Sequence, residues 1–140
     1  MSRLRAVIDT NVWVSAYYTP GGVSARVIQC WRERQMVLCL SLPIMAEYRA
    51  KFARKFARAE KLPKHINDDI VAMMRGGLFY PFPPLLPDCV PGDVDDEKFL
   101  ECAVVAKAGY VVSGDRHLLA QTGYRGIAIV SPGVFVRDFL

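Results

Sequence analysis

Four acidic residues have side chains and positions that suit metal or phosphate chemistry: Asp9, Glu47, Asp96 and Asp115. Asp9 directly follows the apolar run of residues 4–8, and Asp115 lies just beyond the apolar run of residues 110–112. Carboxylates gathered in one pocket repel each other and lose solvation, so such a group is costly unless a cation neutralises it. Carboxylate oxygens suit Mg²⁺ and Mn²⁺, and these ions support hydrolysis of phosphodiesters.

Two of these acids also have an ordinary structural explanation as helix caps. Asp9 could cap a helix that starts near Asn11, and Asp115 could cap the short segment 116–121. At each position, taken alone, capping is a sufficient reason for the acid. The argument for a site is therefore the joint pattern, in which two acids follow the ends of two apolar segments.

The other two acids have alternatives of the same kind. Asp96 belongs to an acidic run that would suit the positive end of a helix dipole; the run comprises Asp93, Asp95, Asp96 and Glu97. Glu47 could form an ion pair with Lys51 one helical turn away, on a solvated helix face.

Short apolar segments that alternate with helical patterns would position these acids. The pattern predicts strands at residues 4–8, 36–40, 78–82, 110–112 and 127–130. It predicts helices at 12–18, 24–34, after the cap Ser41, from Asn67 or Asp68 to Met74, and at 93–109, 116–121 and 132–140. This alternation favours a three-layer α/β/α sandwich with a mostly parallel central sheet. Sites in such sheets form at the carboxyl ends of the strands, so Asp9 and Asp115 should share one edge.

Length and composition limit the class of protein. The 140 residues fit one domain, residues 1–140, and 52% hydrophobic content excludes a disordered chain. The four cysteines lack CxxC spacing, which disfavours zinc, and we expect them to be reduced and buried. No apolar run has the length of a membrane span, and Asp9 interrupts the apolar start that a signal peptide would need. The sequence therefore predicts a cytoplasmic protein.

Residues 49–65 are strongly basic, with seven Lys and Arg against Glu60, while the whole chain carries a net charge of only +4. A helix with this asymmetry beside a carboxylate site could steer an RNA backbone. The alternative is a solubilising face opposite an apolar stripe at i+4 steps, and the two are compatible. The candidate RNA-binding residues are Arg49, Lys51, Arg54, Lys55 and Arg58.

The motifs together resemble a known family. "VIDTNVWVSA", Glu47 in "SLPIMAEY", "DDEKFLECAVVAKAGYVVSGDRHLL" and the last strand and helix are similar to a PIN domain, and within that family to the VapC-type toxins of toxin–antitoxin systems. The resemblance covers nearly the whole chain. It implies a Mg²⁺- or Mn²⁺-dependent endoribonuclease that leaves a 5′-phosphate and a 3′-hydroxyl.

The resemblance assigns the catalytic and metal-binding acids to Asp9, Glu47, Asp96 and Asp115. Only one residue of three successive helical positions can point squarely into a pocket, so Asp95 and Glu97 remain alternatives to Asp96. Asn11 and Ser113 would orient the carboxylates. A position that is often acidic in relatives is His117 here, which could touch substrate or metal or could lie on the surface.

The resemblance also implies partners, namely an RNA substrate, an antitoxin protein and a second copy of the chain in a homodimer. We therefore expect a metal-dependent ribonuclease, the toxin of a toxin–antitoxin pair. One alternative is a PIN-like RNA-binding module without turnover. A phosphatase-like or nucleotide-binding domain is a weaker one, because the chain has no Gly-rich phosphate loop and no DxDxT motif after the first strand.

Overall fold

Five parallel strands form one central sheet in the computed structural model, which describes residues 3–140. The strands are β1 Leu4–Ile8, β2 Met36–Leu40, β3 Leu78–Phe79, β4 Tyr110–Val112 and β5 Ala128–Val130, in the spatial order β3-β2-β1-β4-β5. The last three residues of β1 and four of the five residues of β2 are apolar and buried, because helices cover both faces of the sheet. The three-layer α/β architecture predicted from the sequence is confirmed.

Seven helices lie between the strands or follow the last strand in the described residues. They are α1 Thr10–Tyr18, α2 Val23–Arg32, α3 Leu42–Phe56, α4 Lys64–Gly76, α5 Glu97–Val105, α6 Arg116–Leu119 and α7 Pro132–Phe139. Two 3₁₀ turns, Val94–Asp96 and Tyr124–Gly126, precede α5 and β5. None of the helices in residues 3–140 is long and apolar enough to cross a membrane.

Helix α3 is anchored by the apolar stripe that its sequence predicts. Ser41 caps the helix, since its hydroxyl accepts a hydrogen bond from the Ile44 amide at 3.3 Å. Tyr48 and Phe52 are fully buried and pack against Trp13 of α1, with ring centroids 5.7 and 6.3 Å away. This aromatic contact fixes α3 relative to α1, and therefore fixes Glu47 relative to the end of β1.

Several predicted boundaries were wrong, for identifiable reasons. Strand β3 has two residues rather than five, because Pro81 begins a proline-rich stretch that cannot donate to a sheet. Helix α4 begins at Lys64, directly after Pro63, rather than at residue 67 or 68. The helix predicted over 93–109 is a 3₁₀ turn followed by α5, which ends at Val105.

The four cysteines are free and buried, as the sequence predicts. Burial raises the pKa of the Cys39 thiol to about 11 and that of Cys102 to about 12. Both therefore stay protonated near neutral pH and behave as small apolar side chains in the core.

Candidate metal centre

Asp9 lies at the carboxyl end of β1 and is only 3% exposed. It is the N-cap of α1, because its Oδ1 accepts a hydrogen bond from the Asn11 amide at 3.3 Å. Its Oδ2 accepts from the Ser113 hydroxyl at 2.6 Å. Helix α1 begins at Thr10 rather than at Val12. The Asp9 carboxylate therefore caps this helix and also lies at the candidate site, so the two interpretations of Asp9 are compatible.

Asp115 lies beyond the end of β4, which pairs with β1 and so brings the two acids to one edge of the sheet. Its Oδ1 accepts from the amides of His117 at 2.8 Å and Leu118 at 3.3 Å, which caps α6. The Asp115 amide donates to the Ser113 hydroxyl oxygen at 3.0 Å. Ser113 therefore connects Asp9 to Asp115, whereas Asn11 contributes its backbone amide and exposes its side chain.

Asp96 reaches this edge from the 3₁₀ turn before α5. One carboxylate oxygen each from Asp93, Asp96 and Asp115 lies within 4.8 Å of the others, in half-buried positions. The three-carboxylate group includes neither Asp95, which is exposed, nor Glu97, whose buried Oε2 has no hydrogen-bond partner in the described residues. Asp9 is not one of these three residues, but its charge helps to raise the pKa of Asp96, so it lies nearby. We call Asp9, Asp93, Asp96 and Asp115 the acidic group.

Asp93 was not among the site residues chosen from the sequence. The available signal was its spacing of three residues from Asp96, which one helical turn brings to the same side. A packed loop brings it to the site, since Glu101 of α5 accepts from the Leu86 amide at 2.8 Å. Cys89 and Val90 are buried in the same loop, so the loop is tied to the core on both sides.

His117 packs against that loop beside Gly92, which has a φ of +87°. A Cβ atom on Gly92 would lie 3.3 Å from Cε1 and Nδ1 of the His117 ring. The residue before Asp93 must therefore be small and able to adopt a left-handed conformation. The ring of His117 thus contacts the loop that carries Asp93, next to the acidic group.

Glu47 of α3 is held by two side chains that the sequence analysis did not identify. Its Oε1 accepts from Nζ of Lys98 at 2.6 Å, and its Oε2 accepts from the Thr10 hydroxyl. The pair with Lys51 that we considered is absent from the described residues. Glu47 lies outside the three-carboxylate group, and its place among the metal ligands stays a prediction.

The electrostatics of the acidic group show negative charge that the chain itself does not neutralise. Burial, followed by the charges of Asp9, Asp93 and Asp115, raises the pKa of Asp96 to about 8. Burial also raises the pKa of Asp9, against the opposing effect of the hydrogen bonds from Ser113 and the Asn11 amide. Hard carboxylate oxygens with excess negative charge fit a divalent cation such as Mg²⁺ or Mn²⁺.

Four residues of the predicted basic surface, Arg49, Lys51, Arg54 and Lys55, lie on α3, the helix that also carries Glu47. Arg58 follows the end of α3 at Phe56, so the expectation of one basic helix through residue 65 was wrong. Arg49, Arg54, Lys55 and Arg58 are exposed, and Lys51 is half-buried. The buried stripe on the opposite side of α3 leaves this face available, so both interpretations of the basic segment agree with its burial. Its contact with RNA stays a prediction.

Comparisons with known proteins agree with this architecture. A family model described as "PIN domain" matches residues 5–117, which include β1 to β4 and every residue of the acidic group. An uncharacterized protein of Methanocaldococcus jannaschii is 27% identical over 122 residues, which cover 84% of this chain and 75% of that protein.

Proposed function

Because this chain belongs to the PIN domain family, we propose that it is a Mg²⁺- or Mn²⁺-dependent endoribonuclease. The family suggests a nuclease, and the acidic group is compatible with the metal that such nucleases use. The observation that carries the proposal is the meeting of Asp93, Asp96 and Asp115 beside Asp9 at the carboxyl ends of β1 and β4. Hydrolysis would leave a 5′-phosphate and a 3′-hydroxyl.

The residues that would hold the metal are Asp9, Asp93, Asp96 and Asp115, with Glu47 retained from the sequence prediction. A divalent cation there would lower the pKa of a water molecule and offset charge on the scissile phosphate. Ser113 keeps the Asp9 carboxylate oriented through its 2.6 Å hydrogen bond. The backbone amides at the start of α6 hold Asp115 in the same way.

Glu47 differs from the acidic group in this proposal, because Lys98 and Thr10 donate hydrogen bonds to it. Both oxygens of Glu47 have donors, so its carboxylate is fixed in orientation without a metal. The pair spans α3 and α5, and it holds the Glu47 carboxylate beside the residue that follows Asp9. Each oxygen that accepts one hydrogen bond keeps a second lone pair, so Glu47 would set the shape of the site and could also join the metal ligands.

The decisive experiment measures cleavage of a mixed-sequence RNA with Mg²⁺ or Mn²⁺, using Asp9→Asn as the test variant. Asparagine remains a good N-cap, so α1 should persist while one charged ligand is lost. We expect metal-dependent cleavage by the original chain and almost none by the variant. RNA binding without cleavage by either protein would instead favour the RNA-binding module, and equal cleavage by both would contradict the assignment of Asp9.

The toxin role, the antitoxin partner, the homodimer and the cytoplasmic location extend this proposal. Their support is the resemblance to VapC-type toxins quoted above. Expression of the chain in a bacterial host should arrest growth, and expression of Asp9→Asn should not. Growth arrest by both proteins would show toxicity unrelated to RNA cleavage, and a monomeric mass by light scattering would contradict the dimer.

A further inference from the structure

A cleft of about 730 Å³ lies beside the amino-terminal ends of β1 and β2. Trp31, Met36 and Val37 contribute apolar surface to it. The acidic group lies at the opposite ends of these strands, roughly 16 Å away for a five-residue strand at about 3.3 Å per residue. Four arginines also line this cleft, which we call the arginine cleft: Arg3, Arg32, Arg34 and Arg75.

The arginine cleft exists because the sheet is incomplete on this side. β3 pairs only with Cys39 and Leu40, so residues 36–38 have no neighbouring strand on that side in the described chain. The end of α2 and the last turns of α4 form the walls of the opening. In parallel register, residues 75–77 would have to cover this edge of β2, but α4 continues to Gly76, so the edge stays uncovered.

Asp68 in the lining of the arginine cleft, and Asp69 next to it in the sequence, already have partners. Asp68, the only acid in its lining, accepts from Lys64 at 2.8 Å. Asp69 accepts from Nη2 of Arg32 at 2.7 Å and from its Nε at 3.0 Å. Neither acid has an ion pair with the other arginines of the cleft in the described residues.

Three arginines of the cleft have no carboxylate within 4.0 Å in residues 3–140: Arg3, Arg34 and Arg75. Nη1 of Arg3 donates to the backbone oxygen of Arg34 at 3.3 Å, which places these two residues side by side. Like charges held together without a counter-charge favour an anionic ligand, since the ligand removes their repulsion.

We propose that the arginine cleft is a second RNA-binding site, which holds backbone phosphates of the strand that is cut at the acidic group. This inference rests on the proposed function. A guanidinium presents a planar fork of donors that matches phosphate, and phosphate contacts fix the register of a strand without reading bases. Hydrolysis at a carboxylate and metal site is indifferent to base identity, so placement of the RNA must come from contacts elsewhere.

The test measures RNA affinity against salt concentration with the metal-free protein, so that no RNA is cut. The variant is Arg34→Gln with Arg75→Gln, and the matched control is Arg26→Gln with Arg137→Gln, which removes two exposed arginines outside the cleft lining. Thermal unfolding of both variants verifies that they fold. The probe is an oligouridylate of about 20 nucleotides.

We expect the slope of log affinity against log salt to become shallower by about 1.4 in the cleft variant, at about 0.7 per lost phosphate contact on a single strand. The control should keep the slope of the original chain. An unchanged slope in the cleft variant, or equal losses in both variants, would overturn the proposal. A polyaspartate peptide provides a second probe. If the cleft variant loses affinity for this peptide but not for RNA, the RNA proposal is overturned in favour of an acidic protein segment as the ligand.

Cleavage measured with metal separates this inference from the proposed function. The cleft variant should raise KM for a long RNA several-fold at unchanged kcat, because the acidic group is intact. If the cleft variant has a shallower salt slope and neither the original chain nor any variant cleaves RNA, the RNA-binding role of the cleft is supported and the proposed nuclease activity is rejected. Cleavage with identical KM in both variants would support the nuclease and overturn the cleft.

Discussion

Asp69 and Asp9 are buried carboxylates in two regions of the molecule, and they differ in where the opposing positive charge comes from. Asp69 in α4 accepts two hydrogen bonds from the guanidinium of Arg32 and one from the Tyr17 hydroxyl at 2.7 Å. Asp9 is buried to a similar degree, yet its donors are neutral, namely the Ser113 hydroxyl and a backbone amide. The first region neutralises its charge within the chain, and the second does not.

This difference separates a structural acid from one that is suited to an ionic ligand. The Asp69 pair joins α1, α2 and α4, so its charge contributes to packing. The acidic group gathers like charges instead, which raises the pKa of Asp96 to about 8, first through burial and then through its neighbours. Glu47 with Lys98 is an intermediate case, in which an internal cation lies beside the acidic group.

The largest expected effect is on cleavage by Asp9→Asn. Loss of one charged ligand should lower kcat/KM by about 100-fold or more, which corresponds to about 2.7 kcal/mol. The melting temperature should change little, because asparagine keeps the cap of α1. Steady-state cleavage and calorimetry measure the two quantities, and a large loss of stability would contradict the division between the regions.

The opposite pattern is expected for Asp69→Asn. Removing this charge leaves Arg32 without its partner, and we expect the free energy of unfolding to fall by roughly 2–3 kcal/mol. This is less than the loss for a fully buried pair, because the Arg32 side chain is 37% exposed. Urea denaturation gives the stability. A decrease in kcat of the folded variant would show that the two regions are coupled.

Lys98→Met should have a smaller effect than either change. The methionine keeps most of the apolar stem while the ion pair with Glu47 is lost, so stability should fall by about 1 kcal/mol. Lys98→Arg is the matched control, because arginine can keep an ion pair with Glu47, and it should lose less than half as much stability as Lys98→Met. Equal stability of all three proteins in urea denaturation would mean that the pair contributes only orientation to Glu47.

The last expected effect is a change of stability with pH in the metal-free protein, which solvent screening of the half-buried Asp96 reduces. Asp96 has its pKa raised to about 8 from an ordinary value of 3.8, so the folded state keeps a proton that the unfolded state loses. The contribution of Asp96 to the free energy of unfolding is therefore fully present below about pH 4 and is lost as the pH rises toward about 8. Melting temperatures with EDTA should therefore decrease between about pH 5.5 and 8.5, and Asp96→Asn should flatten this decrease.

Adding Mg²⁺ tests whether the groups that cause this pH dependence also bind metal. Metal binds the ionised carboxylates, so it should raise the melting temperature more at about pH 8.5 than at about pH 5.5. The Asp69→Asn variant should show the same metal response from a lower baseline. A stabilisation by Mg²⁺ that does not depend on pH would place the metal elsewhere.

The sheet and the strand ends could be predicted because they depend on local patterns. Short apolar runs define β1, β2 and β4, and parallel pairing forces the residues that follow them to one edge. Asp9 and Asp115 were placed at that edge from this rule alone. The architecture therefore required no knowledge of side-chain contacts.

The rest of the site depends on contacts between distant segments, which no local pattern contains. Asp93 joins the group because Glu101 and buried loop residues hold the 86–93 segment in place. Lys98 meets Glu47 only because α3 and α5 pack together. Both residues looked like ordinary members of a charged first turn in the sequence.

The wide separation in sequence between Asp9 and Asp115 has a consequence during synthesis of the chain. β4 lies between β1 and β5, so the pairing that brings Asp115 to Asp9 cannot form until residues 110–115 have left the ribosome. The complete acidic group can therefore form only after the segment that carries Asp115 has been made. If this pairing is also the last to form when the whole chain refolds, tryptophan fluorescence should recover before RNA cleavage, and simultaneous recovery would show that the sheet closes in a single step.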